Sequence, residues 1–137
     1  MKVYKALLIG SVLGTISMPT VMADMYNNVD LGTDNTVVAN TSANVAVGNM
    51  NTTNIWGIAV GSNNTAKLGT IAVGRDNTGD DNQVIIGTNN TATAPRNRHS
   101  SGTGNFVAGD NNVVEGDSSI VIGRYNRAIS EYALEPI

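Results

Sequence analysis

Val45-Ala46-Val47-Gly48, Ile58-Ala59-Val60-Gly61, Ile71-Ala72-Val73-Gly74, Val84-Ile85-Ile86-Gly87, Phe106-Val107-Ala108-Gly109 and Ile120-Val121-Ile122-Gly123 repeat one pattern: three apolar residues, then glycine. A weaker copy, Val29-Asp30-Leu31-Gly32, comes before them. The third residue after each of these glycines is asparagine: Asn35, Asn51, Asn64, Asn77, Asn90, Asn112 and Asn126. Gly48, Gly61, Gly74 and Gly87 are thirteen residues apart, and Gly109 and Gly123 fourteen. Ankyrin, leucine-rich, helical and propeller units need roughly 20–50 residues. A step of 13–14 residues suits one coil of an all-β parallel roll, with two short strands and two tight turns per coil.

Glycine supplies positive φ, and asparagine is the non-glycine residue best suited to left-handed turns. Gly-x-x-Asn is therefore expected to be a turn that ends each strand, and stacking would set the asparagines in a column with their amides bonded along it. Within Ile71-Ala72-Val73, the period of two sends Ile71 and Val73 to one face and Ala72 to the other. Both faces are apolar, as in a strand buried on both sides. One face can fill the lumen, and the other needs a cover that no helix in the sequence provides. The opposite half of each coil, such as Asn64-Thr65-Ala66-Lys67, is polar. Self-association through the apolar outer wall is the expectation.

The segment Gly109-Asp110-Asn111-Asn112-Val113-Val114-Glu115-Gly116-Asp117-Ser118-Ser119-Ile120-Val121-Ile122-Gly123 closely resembles the head repeat of trimeric autotransporter adhesins of the YadA type. Gly109, Gly116 and Gly123 match the half-coil and full-coil steps of that family's repeat, and the resemblance extends over about residues 32–133. It implies a left-handed parallel β-roll, a homotrimer, and display on a bacterial surface for adhesion to extracellular matrix, host cells or other bacteria. In that family a neck, a coiled-coil stalk and a membrane-anchor barrel follow the head. Residues 124–137 carry no heptad period, and Glu135-Pro136 stands where a further repeat glycine would fall. A chain ending there is expected to be a head without its anchor, from a truncated or split gene, and periplasmic or released.

The rest of the sequence fits a thin stack. It has no cysteine, one tryptophan and one phenylalanine, too few large side chains for a conventional core. Residues 1–23 have the form of a secretory signal: Lys2 and Lys5, an apolar stretch from Ala6 to Ile16, and the small-residue site Val21-Met22-Ala23. A membrane anchor is the rival, but the apolar run is shorter than the ~20 residues needed to span and contains Gly10 and Gly14, with Pro19 following. No other segment suits a membrane helix. Without Lys2 and Lys5, six basic residues face eleven acidic ones, a net charge of −5. That balance, with no basic stripe, argues against nucleic acid. Residues 24–43 form a polar lead-in with one imperfect coil, read as a cap; residues 44–137 carry the roll. The 22-residue step from Gly87 to Gly109 implies an inserted loop near residues 94–104. Its Arg96, Arg98 and His99 are candidate contact residues, though a solvated loop accounts for them as well. Trp56 is either a ligand anchor or a packing residue against a neighbouring coil or chain.

Catalysis needs convergent groups, and the sequence supplies none. His99 has no Cys or Ser partner at a telling spacing, and no cofactor motif is present. Asp76, Asp80 and Asp81 could make a metal site but suit a polar wall better. The nine-residue calcium-roll motif is missing, and no phosphate-loop lysine follows any Gly-x-x-Asn. An enzyme is not expected. The rival from another class is an ice-binding or structural solenoid, since Thr36, Thr52, Thr65, Thr78 and Thr91 each follow a repeat asparagine; Val113 and Arg127 break that column.

Overall fold

The computed structural model describes residues 20–23, 28–38, 43–94, 104–116 and 118–129. It is all-β. One sheet holds β1 (Thr20–Ala23), β2 (Val29–Thr33), β4 (Val45–Asn49), β6 (Ile58–Ser62), β8 (Ile71–Arg75), β10 (Val84–Thr88), β12 (Phe106–Asp110) and β14 (Ile120–Arg124) in that order. The other holds β3 (Thr36–Val37), β5 (Thr52–Asn54), β7 (Thr65–Lys67), β9 (Thr78–Asp80), β11 (Thr91–Thr93), β13 (Val113–Glu115) and β15 (Arg127–Ile129). Except for β1, which runs antiparallel to β2, all pairing is parallel, and the chain alternates between the sheets as it climbs. This is a parallel β-solenoid with one strand of each sheet per rung.

The register is strict. Gly32, Gly48, Gly61, Gly74, Gly87, Gly109 and Gly123 lie opposite one another in the first sheet. These glycines have φ between 119° and 131° and sit fourth in their five-residue strands. A Cβ on Gly61 would overlap the carbonyl oxygen of Gly74 in the next rung, so here glycine serves close backbone approach as much as its φ. The bend itself comes two residues later than the glycine, at Asp34, Met50, Asn63, Asp76, Asn89, Asn111 and Tyr125, all with left-handed backbone. The repeat asparagine follows the bend and turns inward.

From Asn51 to Asn112 that asparagine is fully buried. Asn77 shows the bonding: its N–H and Nδ2 both donate to Asn64 Oδ1 (3.1 and 3.0 Å), and Nδ2 also donates to the Gly87 carbonyl at 2.8 Å. Asn90 repeats the arrangement on Asn77, and Asn126 on Asn112. From Asn51 to Asn112 each amide thus ties three rungs and leaves no buried donor idle.

Between the sheets lies a narrow lumen of middle-position side chains. Ala46, Ala59, Ala72, Ile85 and Val107 from the first sheet meet Thr53, Ala66, Gly79, Ala92 and Val114 from the second. Volumes compensate between rungs: Gly79 has no side chain where Ile85 Cδ1 and Thr70 Cγ2 occupy the space. At the amino-terminal end Asp30 takes the lumen position, and its Oδ1 accepts from Asn35 Nδ2 at 2.8 Å.

Candidate functional site

The two outer walls differ in chemistry. On the first sheet the outward positions form two rows, running from Val29 to Ile120 and from Leu31 to Ile122. Every residue in both rows is apolar, and none is fully buried. Ile120 is 76% and Ile122 71% exposed. Arg75, Asp110 and Arg124 lie in the next outward position, at the wall's border, with an Arg124–Asp110 ion pair of 2.9 Å. The two rows thus form one contiguous uncharged apolar wall.

The second sheet's wall is mostly polar, with Val113 and Ile129 exposed toward its carboxyl-terminal end. Thr36, Thr52, Thr65, Thr78 and Thr91 stand in register, followed by Val113 and Arg127. The neighbouring outward column holds Asn54, Lys67 and Asp80 in successive rungs, so no second threonine row accompanies the first.

The two corners of the coil also differ. At the corner leading into the first sheet, left-handed residues come in pairs: Ile55–Trp56, Leu68–Gly69 and Asp81–Asn82. Trp56 is 62% and Leu68 40% exposed. The next coil is longer at this corner, and Gly104 returns against the Asn82 carbonyl with no room for a Cβ. Register is recovered at once: β12 pairs directly with β10, and Asn112 bonds Asn90 across 22 residues. Arg96, Arg98 and His99 lie outside the described residues, as do residues 1–19 and 130–137.

Asp76 and Asp81 fall at opposite corners of the coil. Asp76 accepts from Asn63 Nδ2 at 2.8 Å and lies 3.5 Å from Arg75 Nε; Asp80 faces outward on β9. Among the described residues no group of three or more His, Cys, Asp or Glu side chains comes together, and no helix is long and apolar enough to cross a membrane. Three buried side-chain oxygens there have no hydrogen-bond partner: Thr53 Oγ1, Asn54 Oδ1 and Asp80 Oδ1.

A second buried polar column was not among the sequence expectations. It runs through the buried Asn28, Asn44, Gly57, Thr70, Gln83 and Asn105 to the half-buried Ser119. Gly57 N–H donates to Asn44 Oδ1 (3.0 Å), Asn105 N–H to Gln83 Oε1 (2.8 Å) and Ser119 N–H to Asn105 Oδ1 (2.9 Å). Its signal is the residue directly before each apolar triplet, which is never apolar except where it is glycine.

Fold and walls together define the class, a parallel β-solenoid with one apolar and one polar face. The chain matches no protein-family model, and no curated protein matches it.

Proposed function

We propose that this chain is an adhesin head of the trimeric autotransporter type. Three copies pack side by side through the apolar wall of the first sheet, leaving the polar wall to contact extracellular matrix or cell-surface molecules. The observation that carries this reading is the apolar wall itself, uncharged along both rows in all seven rungs. An exposed apolar surface of that extent favours association. The resemblance of residues 109–123 supplies the trimer and the adhesive role. Residues 1–23 direct export. The head reaches the cell surface when joined to a stalk and barrel, and is periplasmic or released without them.

Sedimentation of the full chain across a dilution series tests the assembly, with a trimer expected at micromolar concentration. Binding to immobilised collagen, fibronectin and laminin and to cell monolayers tests the role. A compact monomer that binds none of them would refute both parts. A second reading, ice binding, draws on the in-register threonine column, and thermal hysteresis without matrix or cell binding would favour it. Lys67 and Asp80 in the adjacent column disrupt the flat array that reading needs.

A further inference from the structure

Trp56 stands in a conformation that its own chain does not reward. Ile55 and Trp56 both have left-handed backbone, φ 48° and 60°, and β-branched and bulky residues tolerate that region worst. One and two coils on, the Trp56 position holds Gly69 and Asn82, the types that suit it. Burial does not offset the strain, because the indole-bearing residue is 62% exposed. Ala43 one coil before and Gly69 one coil after are small, so neither side chain covers it. Met50 and Tyr125 are exposed and left-handed at the opposite corner as well, so what sets Trp56 apart is its place beside the apolar wall; strained positions are common at functional surfaces.

The corner borders the apolar wall. Gly57 turns inward, and Ile58 then opens that rung of the outer face. Leu68, 40% exposed, stands at the same corner one rung on. We propose that Trp56 anchors the contact between copies of this chain, and is covered by a neighbouring copy together with the first sheet's outer wall. This rests on the self-association reading above. A second copy is the occupant the surface fits: the wall is uncharged, and its rows repeat at the rung step of about 4.8 Å. Another roll has the same step and can meet it row for row. Tryptophan is also the residue type most enriched among contacts that dominate association.

The chain has a single tryptophan, which makes it its own probe. Emission and acrylamide quenching of the full chain, followed through the same dilution series as sedimentation, should report a shielded indole in the assembly and an exposed one after dissociation. Trp56→Gly removes the strain, so the dissociated variant should melt above wild type. Its half-assembly concentration should rise at least about tenfold. Trp56→Asn, copying the residue at Asn82, should weaken assembly likewise. A water-exposed indole in the assembled form, or assembly as tight as wild type in both variants, would overturn the proposal and leave self-association standing. A chain that stays monomeric throughout would overturn both.

Discussion

Gly79→Ala tests the lumen at its tightest point. The added Cβ would lie 2.5 Å from Thr70 Cγ2 and 2.7 Å from Ile85 Cδ1, well inside the 3.5–4.0 Å at which carbon atoms attract. Overpacking of a closed core costs about 1–3 kcal/mol. Against that, alanine restricts the unfolded chain and gains about 0.4–1 kcal/mol where its backbone is unstrained, and Gly79 has no positive φ. The net expectation is a loss of about 1–2 kcal/mol. Both offending atoms can be removed. Ile85→Val takes away Cδ1 at a cost of about 0.5–1.5 kcal/mol. Thr70→Ser takes away Cγ2 and keeps the hydroxyl that accepts the Gln83 N–H. In that double background the same Gly79→Ala change should be neutral or stabilising, a coupling of roughly 2 kcal/mol. Urea unfolding at one fixed protein concentration measures both differences, since association itself shifts stability. An equal loss from Gly79→Ala in the two backgrounds would refute the steric account.

Other substitutions separate the remaining forces. Gly61→Ala sets a Cβ into the Gly74 carbonyl, a backbone atom that no neighbouring substitution can remove; the loss should exceed about 3 kcal/mol and show as failure to yield folded protein by circular dichroism. Asn77→Asp keeps the shape but replaces the Nδ2 donor with an oxygen facing Asn64 Oδ1 and the Gly87 carbonyl. It should destabilise more than Asn77→Ala, itself worth about 3 kcal/mol from the groups left unbonded, as read from chemical denaturation midpoints. Thr53→Val exchanges a buried hydroxyl without a partner for a methyl group of similar size, and should raise stability by about 1 kcal/mol; a lower melting temperature would mean the hydroxyl is bonded in solution.

The repeat was legible because two residue types carry it under strict demands. Only glycine lets neighbouring backbones close at Gly61, and only a side chain with both donor and acceptor can tie three rungs at Asn77. The apolar triplets gave the strand, its two faces and the outer wall. The bend falls within the Gly-x-x-Asn turn, but its left-handed residue could not be singled out, because that position is held by types as different as Asp34, Met50 and Tyr125 and leaves no pattern. The second ladder hid for a similar reason: an acceptor is all it needs, and Asn44, Thr70 and Gln83 each supply one. Gly79 and Ile85 belong to different rungs, so their fit emerges only after stacking. The strain at Ile55–Trp56 runs against residue preference and cannot be read from it. The apolar outer wall was legible in the triplets, and the backbone of the corner beside it was not.

The roll keeps all its variation in length at one seam. Between the strands of the second sheet and the inward residue that opens the next rung, the chain uses residues 55–56, 68–69 and 81–82 in the shortest coils. It uses 116–118 in a longer one, then 39–43, then 94–104. The opposite corner never changes length, because the glycine-to-asparagine spacing there is tied to the amide ladder. Lengthening a loop whose ends are already fixed adds only about 0.6 kcal/mol per doubling. Related genes could therefore diverge along this seam away from the Trp56–Leu68 corner while the stack beneath them stays the same, and foreign peptides could be spliced in at residues 81–82. The molecule is in effect a ruler with one blank margin on which new recognition sequences can be written.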